Sequence, residues 1–115
     1  MKFKSKEIQD EYRSGKLHPK LKEVLLVIEV VYQLYGIKNG LTITCIYRDK
    51  DHPNYTGKYH SKWQAVDFRV RGVSSELMGI VGAILKILRR ADNCIQSELE
   101  INPPHWHLEY DDGSL

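Results

Sequence analysis

Two short stretches of this chain carry residue types that can do chemistry together. The first is His60-Ser61-Lys62-Trp63-Gln64-Ala65-Val66-Asp67, with a histidine and an aspartate seven positions apart. The second is His105-Trp106-His107, near the end of the sequence. On a strand, both imidazoles of the second stretch leave the same face, because strand side chains alternate with a period of two. Imidazoles and a carboxylate suit a divalent zinc ion, and three protein ligands leave a fourth position open for water. An open position of this kind serves hydrolysis, so the residues point to a small zinc peptidase or amidase. An acid in the centre of a strand is depleted and unfavourable unless it is paired or holds a metal, which sharpens the reading of Asp67. Of five histidines, His18 and His52 fall at a helix start and in a loop and read as ordinary surface residues.

The elements that must position these residues follow from periodicity. Residues 1–16 are polar and read as a short helix or arm over the surface. From Pro19 to Tyr35 the apolar residues Leu21, Val24, Leu25, Ile28, Val31 and Tyr35 recur at helical spacing, with Pro19 in the first turn and Gly36 as the stop. Leu41 to Tyr47 is β-branched and follows the turn signal Asn39-Gly40, so it reads as a strand. Arg48 to Lys58 reads as a long loop. Gln64 to Val70 alternates, with Val66, Phe68 and Val70 on one face and Ala65, Asp67 and Arg69 on the other. A second helix is expected over Ser75 to Arg90, capped by Ser74 or Ser75, with Glu76 and Arg89-Arg90 complementing its dipole. Cys94 to Leu99 reads as a third strand, Asn102-Pro103-Pro104 as a turn, and His105 to Tyr110 as a fourth strand. The fold expected is therefore α+β, one domain over residues 1–115, with a small antiparallel sheet, helices on its apolar face and a zinc site on the other.

Composition narrows the classes. With 42% hydrophobic and 28% charged residues, the chain has the make-up of a folded domain. A formal charge of +2 gives no argument for a nucleic-acid partner, although a mild positive balance suits an anionic polymer such as a cell wall. No stretch has the make-up of a secretory signal, and Val24 to Val31, broken by Glu29, is too short to insert in a membrane. The expectation is a cytoplasmic protein as synthesised, released on lysis. Cys45 and Cys94 fall in expected strands and read as buried free thiols outside the site. The oligomeric state is open.

Leu41 to Arg48, then Tyr59-His60 through Ala65-Val66-Asp67-Phe68-Arg69, then His105-Trp106-His107-Leu108, resemble the D-Ala-D-Ala metallopeptidases. That group includes D,D-carboxypeptidases, phage L-Ala-D-Glu endolysins and, more distantly, lysostaphin-type peptidases and the zinc domain of hedgehog proteins. The resemblance spans roughly residues 41–110 in the family's order. It implies that His60, Asp67 and His107 ligate zinc, that His105 stands beside the metal and hydrogen-bonds the developing oxyanion, and that Arg48 binds or polarises the substrate. It also implies a peptidoglycan stem peptide as substrate, cleaved at a D-Ala-D-Ala or an L-Ala-D-Glu bond, and a phage or prophage type of enzyme. Departures are specific. The family's Ser two places before the first histidine is Lys58 here, and its Gly three places after is Trp63. The family's catalytic acid stands three to six places before the final histidine, where this chain has Pro104 and Ile101. Glu98 and Glu100 are the nearest acids with polar-face parity, and Glu100, closer to the final histidine, is the expected base, with Glu98 second. The rival expectations are a metal-stabilised binding module of the same fold without catalysis and a metal-free interaction domain.

Overall fold

A computed structural model of the chain describes residues 1–53, 58–101 and 103–115. Five strands and three helices follow in the order β1 (Lys2–Phe3), α1 (Lys6–Arg13), α2 (Pro19–Leu34), β2 (Thr42–Cys45), β3 (Ala65–Arg69), α3 (Ser75–Ala91), β4 (Ile95–Ile101) and β5 (Pro104–Tyr110). A single turn of 3-10 helix, His60–Lys62, precedes β3. The strands form one sheet in the order β1-β2-β3-β5-β4.

The N-terminal stretch differs from the expected surface arm. Lys2 and Phe3 pair in parallel with Thr42 and Ile43, and this makes the sheet mixed rather than antiparallel. A two-residue strand carries too little alternation to be read from sequence. The four longer strands are antiparallel as expected. Helix α2 starts with Pro19 in its first turn and is capped by His18, whose Nδ1 accepts from the Lys20 amide at 3.1 Å. His18 also stacks on Tyr110 with ring centroids 4.0 Å apart, so it is a structural residue rather than the surface one expected. Helix α3 is capped by the Ser74 hydroxyl, which accepts from the Leu77 amide.

One hydrophobic core joins Leu21, Leu25 and Ile28 of α2 and Leu77, Val81 and Leu85 of α3 to Ile43, Val66, Phe68, Trp106 and Leu108 of the sheet. The alternate strand positions, Asp67, Arg69, His105, His107 and Glu109, line a cleft of about 1080 Å³. Period-two alternation thus divides each central strand between core and cleft. The expected loop over 48–58 and the expected turn at 102–104 lie partly outside the described residues. Among the described residues, no helix is long and apolar enough to cross a membrane.

Candidate metal centre

Strand register sets the site. Asp67 of β3 lies directly opposite His107 of β5, which lies opposite Glu98 of β4. One row along, Arg69 lies opposite His105, which lies opposite Glu100. Facing residues on one sheet face have Cβ atoms about 4.5–5.5 Å apart, so two antiparallel pairings bring together groups 40 positions apart in the chain. His60 enters from the turn before β3, and its ring is held by a 2.8 Å hydrogen bond between Nδ1 and the Ile46 carbonyl.

The side chains converge on Asp67. Its Oδ1 is 2.7 Å from His107 Nδ1 and 3.4 Å from His60 Nε2, and its Oδ2 is 3.8 Å from His105 Nε2. His60 and Asp67 are buried, at 6% and 5% exposure. The rings of His60 and His107 meet edge to face at 5.2 Å. His107 Nε2 is 2.8 Å from Glu109, and His105 bridges the Pro103 carbonyl at 2.6 Å and Glu100 at 3.2 Å.

Burial alone would push the His60 and His107 imidazoles down, but the hydrogen bond and charge of Asp67 outweigh it and raise both above the ordinary value. Burial alone would raise Asp67, and the His107 and His60 partners instead hold it well below the usual carboxylate range. Buried charge here survives only because it is paired.

Every expected site residue lines the cleft: Arg48, His60, Asp67, Glu98, Glu100, His105 and His107. Two participants were not expected. Glu109 holds the far nitrogen of His107. Cys45, read as a thiol outside the site, has its sulfur 3.6 Å from His60 Nδ1. Cys45, His60 and Asp67 form a buried cluster that can hold a metal ion. The pairing of β2 with β3 explains why alternation hid this cysteine. Ile43 is opposite Phe68 but Cys45 is opposite Asp67, so two steps on β2 match one on β3. Such an irregularity re-aims the side chain that follows it. Cys94 lies in the turn before β4, half-buried and unpaired, rather than in the strand.

One backbone feature bears on the expected motif. Trp63, three places after His60, has φ of +60° and ψ of 28°, and among the described residues it is the single non-glycine with positive φ. The left-handed region favours glycine, and a bulky aromatic there is an outlier. Its ring stacks on Tyr47 at 4.7 Å, and its carbonyl accepts from the His18 amide at 2.9 Å, which anchors the turn that presents His60.

Comparison with family models, with curated proteins and with solved structures finds no match.

Proposed function

We propose that this chain is a zinc metallopeptidase that cleaves peptide bonds in peptidoglycan stem peptides. The observation that carries the reading is the convergence of His60, Asp67 and His107 at the base of a cleft of about 1080 Å³, with His105 and Glu100 paired beside them. The substrate class rests on the resemblance of residues 41–110 to the D-Ala-D-Ala metallopeptidases. The left-handed backbone at Trp63 supports that resemblance, because the family's glycine stands at this place.

His60 and Asp67 are spaced as zinc donors, and His107 lies closer to Asp67, at 2.7 Å. Ligand atoms about a tetrahedral zinc lie ~3.3 Å apart, given bonds of about 2.0–2.2 Å, and His60 Nε2 is 3.4 Å from Asp67 Oδ1. His60 Nδ1 is occupied by the Ile46 carbonyl, so Nε2 is the nitrogen free to ligate, as is usual where a carbonyl orients a metal-binding histidine. His107 would use Nδ1, with Glu109 fixing the ring through Nε2. A bound zinc supplies Lewis acidity and makes water acidic enough to ionise near neutral pH. The chain's own groups do the rest. Glu100 takes a proton from the attacking water and returns it to the leaving amine. His105, oriented through Nδ1 by the Pro103 carbonyl, turns its Nε2 proton from Glu100 to the oxyanion on the scissile carbonyl. Arg48 lines the same cleft and orients the substrate.

The buried cluster of Cys45, His60 and Asp67 supports a second reading. A thiolate added to the two histidines and the aspartate would close the coordination, and four protein ligands make a structural site without turnover. We favour the open set because Cys45 approaches the Nδ1 side of His60, away from the nitrogen that faces Asp67. Replacing Cys45 by Ser separates the two. The peptidase reading expects zinc content and hydrolysis to persist, whereas the closed site expects zinc affinity to collapse.

A further inference from the structure

Strand β4 ends the sheet: it pairs with β5 along its seven residues and, among the described residues, with no strand on its other side. The phase of the ladder fixes which main-chain groups are left over. The Asp111 amide donates to the Cys94 carbonyl at 2.8 Å, and the Tyr110 amide turns the other way, to the Gln64 carbonyl at 2.9 Å. Antiparallel pairs alternate between those that exchange two hydrogen bonds and those that exchange none. Gln96, Glu98 and Glu100 therefore bond to β5, and the amides and carbonyls of Ser97, Leu99 and Ile101 face outward. Among the described residues no group takes them up.

The side chains of β4 give a second, independent sign. Edge strands are commonly blunted by brevity, a bulge, proline or lysine. Strand β4 has none of these, and its register with β5 runs unbroken from Ile95 to Ile101. Its charges, Glu98 and Glu100, share one sign and lie on the cleft face. Glu100 meets His105, whereas Glu98 has no ion-pair partner among the described residues. On the opposite face Leu99 and Ile101 are 37% and 80% exposed, a short apolar strip beyond the cover of α3.

We propose that the free edge of β4 is a docking strand for an extended segment of a partner protein, which pairs antiparallel with Ser97, Leu99 and Ile101 as a sixth strand. Main-chain bonds supply the affinity, and side chains at alternate positions supply the selectivity. The complementary segment alternates as β4 does, with apolar residues beside Leu99 and Ile101 and cationic residues opposite Glu98 and Glu100. A second copy of β4 fits poorly. Setting Leu99 opposite Ser97, Leu99 or Ile101 of the copy brings glutamate against glutamate, and like charges directly opposite are unfavourable. The docked segment is not what the metal centre cuts. Strands lie about 4.8 Å apart, so it sits about 10 Å from β5 and about 14 Å from β3, beyond a metal held by His107 and Asp67. Docking here is independent of the peptidase reading.

Three end-blocked, labelled peptides test it on the full chain: Val-Lys-Val-Lys-Val, its charge reversal Val-Glu-Val-Glu-Val, and the lysine peptide N-methylated at its valines. Binding is followed by fluorescence anisotropy and by amide hydrogen exchange in NMR. The lysine peptide should bind ~10-fold or more tightly than the glutamate peptide, with a preference that shrinks as salt is added. Methylation of the valine amides should abolish binding. Bound peptide should slow exchange at the Ser97, Leu99 and Ile101 amides and leave Glu98 and Glu100, already held by β5, unchanged. Leu99→Pro deletes one outward amide and no ladder bond, so it should lose binding while the sheet persists by circular dichroism. Glu98→Lys should shift the preference toward the glutamate peptide. No binding at millimolar peptide, binding blind to charge or to N-methylation, or protection elsewhere overturns the docking strand. So does protection of Leu99 that grows with protein concentration alone, which seats a second copy on the edge.

Discussion

Glu100 and Glu98 lie on β4 facing the two histidines of β5, but in different rows. Glu100 is opposite His105 and within 3.2 Å of it, whereas Glu98 is opposite His107. This separates them chemically. Replacing Glu100 by Gln should keep zinc, because the residue is not a ligand, yet lower turnover by about 10²–10⁴-fold through loss of the base. Glu98→Gln should stay close to the parent. Hydrolysis assays on stem peptides, beside zinc content, check this, and a dead Glu98→Gln with an active Glu100→Gln would move the base by two residues. At this scale the sequence was legible where parity held: Asp67, His105, His107, Glu98 and Glu100 all reach the cleft as alternation predicts. It was not legible at Cys45, read only as a buried thiol, because the irregular pairing that sets Cys45 opposite Asp67 leaves no trace in the β2 residues themselves. Glu109 had the right parity but no motif to single it out, since its partner is only two places away on the same strand.

The elements carry a prediction independent of chemistry. Gly79 lies exposed within α3, and a Cβ added there meets nothing within 4 Å. Glycine is less favourable than alanine inside a helix by about 1 kcal/mol, so Gly79→Ala should stabilise the fold by ~0.5–1 kcal/mol without touching the cleft. Urea unfolding measures it, and destabilisation would mean that α3 is not a regular helix there. Helices α2 and α3 were readable because their apolar positions repeat over several turns and both ends carry stop or cap residues. Strand β1 was not, because its place comes from pairing with Thr42 and Ile43, a long-range contact that leaves no periodic trace in Lys2 and Phe3. The 3-10 turn at His60–Lys62 was equally hidden, since the left-handed residue that ends it is a tryptophan where glycine would announce it.

For the whole molecule, the coupled charges around Asp67 set how stability responds to pH and to metal. Without metal, His60 and His107 titrate above the ordinary 6.5, because the Asp67 interactions outweigh burial. Their stabilising contribution is complete below about 6.5 and is lost as pH rises through the raised folded values. Asp67 titrates below the ordinary 3.8, so its contribution is present above that value and is lost as pH falls through the lowered one. The metal-free protein should therefore be most stable from about pH 4 to 6.5 and lose stability toward alkaline pH. Zinc reverses the alkaline trend, because it needs neutral imidazoles and its binding releases their protons. At about 100 times its dissociation constant, zinc should add ~2.7 kcal/mol, or roughly 10–20 °C in melting temperature, at pH 8 and much less at pH 5.5. Thermal melts with zinc and with chelator across this range check the sign; an equal zinc shift at both pH values would exclude histidine ligation.

The most direct test of the central claim is zinc content by elemental analysis of protein purified without chelator. The parent should carry one zinc per chain, and a His60→Ala/His107→Ala variant that still folds should carry none. A parent without zinc, or a double variant that retains the full equivalent, would contradict a centre built from His60, Asp67 and His107.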